Sequence, residues 1–456
     1  MKHYDIIVIG SGSGAIISDE AAAHSLKVAL VDKGPLIGGT CLNWGCIPSK
    51  MLIYTADRIV EIEEAKKLGV EAEIANIDFH TIMERMRGSR QKDQNQIRKG
   101  IKQSKNLDFY EGEAFFVADY VLEVNGEKIK AEKIFIASGS RPFIPPIKGL
   151  ENVDYLTNES ALELDERPDS LIIIGGGYIA VEFGHFFAAM GTRVTIIEMA
   201  ERLVLSEEPE ISEVLRKALR RRMRVQTNTL VEEVKKTNRG IVVTGKDLGT
   251  ENRKQFTASR IMVAVGRISN ADRLKVENAH IDRDNRGFIR TDEYLETSKK
   301  NIFAIGDANG QQMFRHMANR EAEIAVQNTL YDTKIKVDYS VVPHAVYSHP
   351  QIASVGMTEA KANEGHHVLI GKTRYYDVAK GQAMIEKEGF AKIIADKHTG
   401  QILGFHIVGP YAPELVQEVV NAMTSGGDAE EISQGIHIHP ALSELIQYTV
   451  SNLEEP

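Results

Sequence analysis

YDIIVIGSGSGAIISDEAAAHSLKVALVD, residues 4–32, joins two β-branched apolar runs through a glycine-rich turn and a helical pattern. We predict a strand over Tyr4–Ile9, a helix over Ser13–His24 and a second strand over Val28–Asp32. Strand, crossover helix and strand in this order form a βαβ unit with parallel strands. The opening of the chain therefore indicates an α/β fold.

The first glycine loop follows the first strand directly and opens the helix. Gly10 permits the tight turn, Gly12 lets the backbone approach a pyrophosphate, and Ala15 allows helix and strand to pack closely. Gly14 stands where the helix begins, and free N–H groups at a helix start favour phosphates. Asp32 ends the second strand, where its carboxylate can bind ribose hydroxyls. These residues together predict a dinucleotide site.

The same pattern returns later in the chain. We predict a strand over Leu171–Ile174, a helix over Tyr178–Met190 and a strand over Arg193–Glu198. Two such units predict two dinucleotide-binding modules. From about Val341 the pattern changes to alternating strands, such as Ile402–Val408, followed by helices, which indicates a separate α+β domain.

Gly175 and Gly177 belong to the second glycine loop, and Glu198 ends the strand that follows it. A carboxylate at this place would repel a 2′-phosphate and bind a 2′-hydroxyl, which favours NAD over NADP. Arg193 and Arg202 are near enough in sequence to weaken that preference. A solvated strand end is the alternative role for Glu198.

Between the two loops stands GGTCLNWGCIPSK, Gly38–Lys50, which contains both cysteines of the chain. Cys41 and Cys46 lie near a predicted helix start and can close a small disulfide if the backbone allows it. The helix N-terminus and Lys50 would lower the pKa values of the thiols, which favours reactive sulfurs over inert ones. A buried pair of structural thiols is the alternative.

Near the C-terminus, GIHIHPALSE places His439 shortly before Glu444. A carboxylate beside one ring nitrogen would fix the tautomer and leave the other nitrogen for proton transfer. Pro440 is predicted at the first position of a helix over Pro440–Asn452. On these residues alone, a helix-capping histidine is the better interpretation of His439. His437 has no such partner in the sequence, and we expect a packing or surface role for it.

The composition excludes several classes of function. The net charge of −9 over 456 residues argues against nucleic acid as the main partner, and the basic run Arg216–Arg224 is interpreted as a solvated helix end. We find no apolar run of about eighteen residues and no pattern of a signal peptide, so we expect no membrane span. Two cysteines are too few for a disulfide framework or a zinc site. We therefore expect no metal and a cytoplasmic location.

Seven motifs follow one another along the chain: GSGSGA, GTCLNWGCIPSK, ASGSRP, GGGYIAVE, VGR, IGDANG and HIHPALSE. With this ordered set the sequence resembles the class I pyridine nucleotide-disulfide oxidoreductases over almost its whole length. The resemblance implies a glutathione reductase-like α/β fold, with two Rossmann-like dinucleotide-binding domains plus a C-terminal α+β dimerisation domain. We expect an FAD-binding domain at 1–147, completed by 268–338, an NAD-binding domain at 148–267 and a dimerisation domain at 339–456.

The resemblance also implies catalytic roles. Cys46 is expected beside the flavin, and Cys41 is the interchange thiol that meets the substrate. His439, paired with Glu444, is the acid–base residue that serves the partner subunit of a homodimer. The implied catalytic residues are Cys41, Cys46, His439, Glu444, Lys50 and Glu182.

FAD and NAD are the implied cofactors. Lys50 and Glu182 are expected to form an ion pair beside the flavin, which Tyr178 covers until the nicotinamide displaces it. The implied cofactor-binding residues are Gly10, Gly12, Gly14, Ala15, Asp32, Lys33, Gly39, Thr40, Lys50, Ser138, Gly139, Gly175, Gly177, Tyr178, Ile179, Glu182, Glu198, Gly266, Arg267, Gly306, Asp307, Met317 and Ala318.

Within the family we interpret the chain as a dihydrolipoamide dehydrogenase, because Glu198 favours NAD and HxHPxxSE is typical of that branch. Three departures leave an alternative open: Trp44 stands where relatives carry Val or Arg, Ala441 replaces a common Thr, and RHMANREA at Arg315–Ala322 looks more like mycothione reductases. The alternative is an NAD(P)H-dependent reductase of a low-molecular-weight disulfide, of the mycothione or glutathione type. The non-enzyme alternative is a structural peripheral subunit of a dehydrogenase complex.

The partners implied are a small dithiol or disulfide, with lipoamide favoured, and a second copy of the chain. Association with a 2-oxo acid dehydrogenase complex or a glycine cleavage complex stays open at this point.

Overall fold

The structure is a computed structural model, and it describes residues 1–331 and 333–456. The strands are β1 (Lys2–Ile9), β2 (Val28–Asp32), β3 (Leu107–Glu111), β4 (Ala114–Ala118), β5 (Val121–Val124), β6 (Glu127–Ile136), β7 (Ser140–Pro142), β8 (Tyr155–Leu156), β9 (Ser170–Ile174), β10 (Arg193–Ile197), β11 (Arg224–Gln226), β12 (Thr229–Thr237), β13 (Gly240–Asp247), β14 (Arg253–Ala258), β15 (Arg260–Val263), β16 (Arg267–Ser269), β17 (Ile302–Ala304), β18 (His344–Val346), β19 (Ile352–Gly356), β20 (Val368–Arg374), β21 (Phe390–Asp396) and β22 (Ile402–Val408).

The α-helices are α1 (Gly14–Ala23), α2 (Gly39–Asn43), α3 (Cys46–Glu64), α4 (Phe79–Gln103), α5 (Asn158–Ala161), α6 (Tyr178–Ala189), α7 (Pro209–Leu219), α8 (Arg315–Leu330), α9 (Glu359–Ala362), α10 (Ala379–Met384), α11 (Ala412–Thr424), α12 (Ala429–Gln434) and α13 (Glu444–Ser451). Short 3-10 helices lie at Ala65–Leu68, Leu150–Asn152, Val276–Ala279, Gly306–Ala308 and Tyr375–Asp377. None of the helices described here is long and apolar enough to cross a membrane.

The chain divides into two compact units. The first consists of Met1–Ser49, Met83–Phe143 and Gly266–Tyr339, and the second consists of Lys50–Ile82, Ile144–Val265 and Ser340–Pro456. The three-domain division expected from the sequence stays a prediction.

The first unit is built on a seven-stranded sheet in the order β3-β2-β1-β6-β5-β4, with β17 paired to β6. Strands β1, β2, β3, β6 and β17 run parallel, and β4 and β5 extend the sheet antiparallel. Ile9 pairs with Ile136, and Ile136 pairs with Ala304, so three strands end at the same edge. The glycine loop, ASGSRP and IGDANG each follow one of these strands. The sheet therefore collects three distant motifs at the carboxyl edge, where α/β folds bind ligands.

The second unit contains the repeated βαβ pattern. Its five-stranded sheet has the order β11-β10-β9-β15-β8 with parallel pairing, and the three-stranded antiparallel sheet β12-β13-β14 accompanies it. Ile174 pairs with both Ile197 and Val263, so the second glycine loop again leaves the sheet from a central strand. The predicted strands and helix of this repeat are confirmed, with ends that differ by a residue.

The C-terminal part of the second unit is an antiparallel sheet in the order β18-β19-β22-β21-β20. Every residue of β21 and β22 is buried, because helices α11 and α13 contribute apolar side chains to the same core. This arrangement confirms the α+β character predicted for the C-terminal region. The helix predicted over Pro440–Asn452 is wrong at its start, because residues 440–443 form turns and α13 begins at Glu444.

Candidate active site

The first glycine loop packs against two other segments of the first unit with no room for side chains. Gly10 has a φ of 106°, and a Cβ on it would collide with the carbonyl oxygen of Ala137. A Cβ on Gly39 would lie 2.6 Å from the Cα of Gly12. The backbones of the glycine loop and of the cysteine segment therefore touch, which only glycine permits at these positions.

Asp32 fixes the shape of this loop. Its Oδ2 accepts hydrogen bonds from the N–H of Ser11 at 2.8 Å and from the Ser11 hydroxyl at 2.5 Å. The Ser11 Oγ in turn accepts the N–H of Gly38 at 2.8 Å. The carboxylate thus joins the loop to the segment that leads into the cysteines, and its contact with a ribose stays a prediction.

Ser140, Arg267 and Asp307 meet at the same edge of the sheet. The Ser140 hydroxyl donates to Oδ2 of Asp307 at 2.5 Å, and Nε of Arg267 donates to Ser140 Oγ at 2.7 Å. The Arg267 side chain is only 7% exposed and lies 3.7 Å from the Asp307 carboxylate. The VGR and IGDANG motifs are therefore joined by side-chain contacts and not only by strand order.

Glu321 is a residue of this site that the sequence interpretation missed. Its carboxylate is fully buried and accepts the N–H of Gly306 at 2.5 Å, the Asn309 amide at 3.2 Å and the Tyr339 hydroxyl at 2.7 Å. Burial raises its pKa despite these donors. Its signal in the sequence was a glutamate on an otherwise apolar helix face. The carboxylate supports the turn that presents Asp307.

Further residues predicted for FAD lie in the first unit, whereas Lys50 and Glu182, expected beside the flavin, belong to the second unit. A Cβ on Gly139 would be 3.9 Å from Thr40 Oγ1, and a Cβ on Gly306 would be 3.0 Å from the Cβ of Ala318 on α8. Met317 is buried beside Ala318, while Lys33 is exposed with its Nζ 5.6 Å from the centre of the Trp44 ring. These positions surround one edge of the sheet.

The buried hydroxyl of Ser138 tests whether these residues fit a dinucleotide. Its Oγ has no hydrogen-bond partner in the part of the chain that the structure describes. Helix α1 begins at Gly14 with no acidic residue in its first turn, so its N–H groups are suited to an anion. An unpartnered donor, a helix start and glycines that exclude side chains fit a dinucleotide such as FAD.

Cys41 on α2 and Cys46 at the start of α3 form a hydrogen-bonded pair. Cys41 is half-buried, Cys46 is exposed, and both are free thiols. A hydrogen bond from the Cys46 side chain, the positive charge of Arg315 and the N–H groups of Cys46 and Ile47 lower the pKa of Cys41 to about 6, although burial opposes the shift. At neutral pH Cys41 is therefore a thiolate, which is the reactive form of a thiol.

Lys50 and Glu182 form an ion pair in the second unit, although they are far apart in the sequence. Lys50 Nζ donates to both carboxylate oxygens of Glu182, at 2.8 and 2.7 Å, and the Glu182 side chain is 5% exposed. The N–H of Tyr347 donates to Oε1 of Glu182 at 3.0 Å, and Lys50 Nζ lies 4.6 Å from the centre of the Tyr347 ring. Tyr347, which the sequence interpretation missed, holds both members of the pair.

The second glycine loop has the geometry of the first. A Cβ on Gly175, whose φ is 114°, would collide with the carbonyl oxygen of Ala264, and a Cβ on Gly176 would lie 2.7 Å from Cγ of Glu198. Gly177 faces open space, and α6 begins directly after it with no acidic residue in its first turn. Oε1 of Glu198 accepts the N–H of Ala200 at 2.6 Å. The loop, the helix start and the carboxylate fit a second dinucleotide.

Tyr178 and Ile179 open helix α6 beside this loop. Tyr178 is 42% exposed, and Ile179 is half-buried. A role of Tyr178 in covering a flavin stays a prediction.

His439 and Glu444 form the pair that the sequence predicts. Nδ1 of His439 lies 2.8 Å from Oε1 of Glu444, while Oε2 accepts the N–H of Ala441 at 3.0 Å. The hydrogen bond from His439 lowers the pKa of Glu444. The His439 side chain is 69% exposed and Glu444 is buried, so the ring is anchored through one nitrogen and its other edge is accessible.

Two expectations about this segment are corrected. Pro440 does not occupy the first position of a helix, because the Glu444 carboxylate folds the preceding turns back towards His439. His437 does have a carboxylate partner, since its Nε2 lies 2.7 Å from Oε1 of Glu418 on α11 and its side chain is 7% exposed. Among the described residues, no group of three His, Cys, Asp or Glu side chains could hold a metal ion.

Comparisons with known proteins agree with this geometry. Residues 4–322 match the family described as "Pyridine nucleotide-disulphide oxidoreductase", and residues 342–450 match its dimerisation domain. A mycothione reductase of Mycobacterium tuberculosis is 36% identical over 466 residues, which cover 99% of this chain and 100% of the relative. A dihydrolipoyl dehydrogenase of Geobacillus stearothermophilus is 35% identical over 449 residues, which cover 97% of this chain and 94% of the relative.

A solved structure shares the fold over the whole chain. The Cu(II) complex of the HOCl-induced flavoprotein disulfide reductase RclA from Escherichia coli aligns with a TM-score of 0.89 at 28% identity and covers 99% of both chains. The family binds FAD and uses NAD(P)H, and the match to its dimerisation domain supports a homodimer. By its two matched domains and by relatives that align along its full length, the chain belongs to the pyridine nucleotide-disulphide oxidoreductase family.

Proposed function

We propose that this chain is a dihydrolipoamide dehydrogenase, which oxidises dihydrolipoamide with NAD through Cys41 and Cys46. The observation that carries the dithiol–disulfide chemistry of this proposal is the Cys41 sulfur, whose pKa is lowered to about 6 by the hydrogen bond from the Cys46 side chain. A thiol with this pKa is a good leaving group in thiol–disulfide exchange. The 35% identical dihydrolipoyl dehydrogenase supports the choice of substrate.

The proposed reaction begins with Cys41 and Cys46 joined as a disulfide. His439 takes the proton of the first substrate thiol, and the resulting thiolate attacks Sγ of Cys41, which releases Cys46 as a thiolate. The second substrate thiol then loses its proton to water and attacks the substrate sulfur of the mixed disulfide, and Cys41 leaves as a thiolate. The dithiol has become a cyclic disulfide, and its two electrons remain on Cys41 and Cys46.

FAD and NAD, when bound, supply the two-electron redox chemistry that returns the cysteine pair to the disulfide. The residues proposed to hold FAD are those around Gly10, Gly12, Ser138 and Asp307, and the second glycine loop and Glu198 are proposed to hold NAD. Glu198 supports NAD because its carboxylate would repel a 2′-phosphate.

The anchored geometry of His439 supports its role as the acid–base residue. Glu444 holds Nδ1 of His439 at 2.8 Å, which orients the ring and leaves Nε2 for proton transfer. We propose that this ring serves the cysteines of the partner subunit in a homodimer. The three-domain division expected from the sequence, a cytoplasmic location and association with a 2-oxo acid dehydrogenase or glycine cleavage complex belong to the same proposal.

A second candidate is an NAD(P)H-dependent reductase of a low-molecular-weight disulfide. The 36% identical mycothione reductase and the sequence RHMANREA favour it. In that direction the Cys41 thiolate attacks the substrate disulfide, and His439 gives a proton to the departing thiolate. The low pKa of Cys41 serves the chemistry of both directions, and a direct assay of both substrates distinguishes them.

A steady-state assay of the purified, flavin-loaded protein separates the two candidates. Dihydrolipoamide is offered with NAD and with NADP, and NADH is offered with lipoamide, glutathione disulfide and mycothione. Rapid reduction of NAD by dihydrolipoamide is the expected result. A flavoprotein that is silent towards both forms of lipoamide but reduces another disulfide would refute the first candidate and support the second.

A further inference from the structure

Arg315 is the first residue of helix α8, and it points at the first glycine loop. Its Nη1 lies 3.6 Å from the position that a Cβ on Gly12 would occupy. One turn later on the same helix, Oδ1 of Asn319 accepts the Ser13 hydroxyl at 2.9 Å. Residues four apart lie on the same helix face. The bond between Ser13 and Asn319 therefore holds this face of α8, with Arg315, against the loop.

The placement of Arg315 is electrostatically unfavourable in the protein alone. The start of a helix carries a partial positive charge, so a guanidinium in the first turn is repelled. The first turns of both α1 and α8 lack acidic residues. Arg315 is half-buried, and it makes no hydrogen bond or ion pair with any of residues 1–331 and 333–456. Two helix starts and a guanidinium thus converge at the loop, where the Arg315 charge acts on the Cys41 sulfur without a hydrogen bond between them.

Arg320, on the same helix, is an exposed arginine paired with a carboxylate of its own helix. It is 61% exposed and lies 3.4 Å from the carboxylate of Glu323, three residues further along. The contrast indicates that Arg315 is not one more solvated cation on this helix. An anion bound at the loop would give Arg315 the hydrogen-bonded partner that the described residues do not supply.

We propose that Arg315 binds the diphosphate of FAD. The planar guanidinium forms paired hydrogen bonds with phosphate oxygens, and the glycine loop offers its N–H groups to the same anion from the other side. The inference goes beyond the proposed function because it needs only the flavin and not the substrate. Arg315 also acts on the Cys41 sulfur, whose pKa its charge helps to lower. The test must therefore separate the diphosphate from the thiolate as its partner.

The test measures how fast purified holoenzyme releases FAD after dilution, followed by the rise in FAD fluorescence. R315Q is expected to release FAD faster than the wild type by about tenfold or more, the change expected when a charge-assisted hydrogen bond is lost. R315K keeps the charge and is expected to release FAD more slowly than R315Q. R320Q is the matched control on the same helix and should behave as the wild type. Release does not depend on dihydrolipoamide, so a failure of the proposed function leaves this test intact.

Release of FAD from R315Q at the wild-type rate would overturn the proposal. A raised pKa of Cys41 in that same variant would then assign Arg315 to the thiolate alone. If R315Q is isolated without FAD, titration of the R315Q and wild-type apoproteins with FAD decides: weaker binding by R315Q with wild-type circular dichroism supports the contact, and equal binding overturns it.

Discussion

Replacing Cys46 by alanine or by serine isolates the contribution that one hydrogen bond makes to the pKa of Cys41. Both variants leave Cys41 as the only cysteine of the chain, so any thiol reagent reports on it alone. Serine keeps a hydroxyl that can donate to Sγ of Cys41, and alanine does not. The N–H groups of residues 46 and 47 and the charge of Arg315 act on Cys41 in both variants. The two proteins therefore differ in the interaction that lowers its pKa most.

The size of the difference follows from the strength of that bond. Hydrogen bonds to charged groups contribute about 1.5–3 kcal/mol, and one pKa unit corresponds to about 1.4 kcal/mol. The pKa of Cys41 in C46A should therefore lie roughly 1–2 units above that in C46S, where we expect a value near that of the wild type. A two-unit rise lowers the thiolate fraction at pH 7 from roughly nine-tenths to roughly one-tenth.

The assay follows alkylation of flavin-loaded C46A and C46S by iodoacetamide between pH 4.5 and 9.5. The midpoint of each rate profile gives the pKa of Cys41. The plateau rate of C46A should be the higher of the two, because a thiolate of higher pKa is the better nucleophile, so the midpoint is the quantity to compare. Unfolded protein provides the reference midpoint near 8.5. Equal midpoints for the two variants would refute the assignment of the low pKa to the Cys46 hydrogen bond.

Three further predictions follow from other parts of the structure. E198Q removes the charge that opposes a 2′-phosphate, so the ratio of kcat/KM for NADH over NADPH should fall by about tenfold, and an unchanged ratio would exclude Glu198 from cofactor choice. H439Q should lower the rate of dithiol oxidation by about 10²- to 10⁴-fold, while NADH still reduces the flavin and bleaches its absorbance. E444Q keeps the ring but removes its carboxylate partner, so its rate of dithiol oxidation should fall by less. Turnover near the wild-type rate in H439Q would remove the ring from the mechanism. The hydrogen bond from His349 lowers the pKa of Glu64 to about 2, below its value of about 4.3 in the unfolded chain. The pair therefore stabilises the folded protein above pH 4.3, and this stabilisation is lost as the pH falls towards 2. E64Q should therefore melt at a lower temperature than the wild type at pH 6, with a gap that narrows between pH 4.3 and pH 3, and a gap independent of pH would contradict the assigned pKa.

Much of the site was predictable because its parts are local in sequence. The glycine loops, the cysteine pair and the pair of His439 and Glu444 each lie within a few residues of one strand or helix end. Their geometry therefore follows from the short segment that contains them. The wrong start of the last helix has the same kind of cause, since Pro440 is typical of a helix start but the Glu444 carboxylate draws the chain into turns.

Other parts were not predictable from the residues alone, because their contacts join distant segments. Lys50 and Glu182 are 132 positions apart, and only family resemblance paired them before the structure placed them 2.7 Å from each other. The buried Glu321 under the IGDANG turn and the Tyr347 backbone against Glu182 had no signal strong enough to single them out. A hydrogen bond or a burial cost depends on which segments meet, and sequence spacing does not carry that information.

The amino-acid sequence by itself determined the α/β fold, the two dinucleotide loops and the positions of the redox cysteines, since these depend on periodicity, glycine and short spacings. Only the tertiary structure decided which distant charge acts on those residues. The Cys41 sulfur becomes a thiolate at neutral pH because the Cys46 thiol and the Arg315 charge reach it. Arg315 reaches the loop because α8, some 300 positions away in sequence, is held there by the bond between Ser13 and Asn319. Electrostatic interactions act through space, so the reactivity of a side chain is fixed by neighbours that only the folded chain brings together.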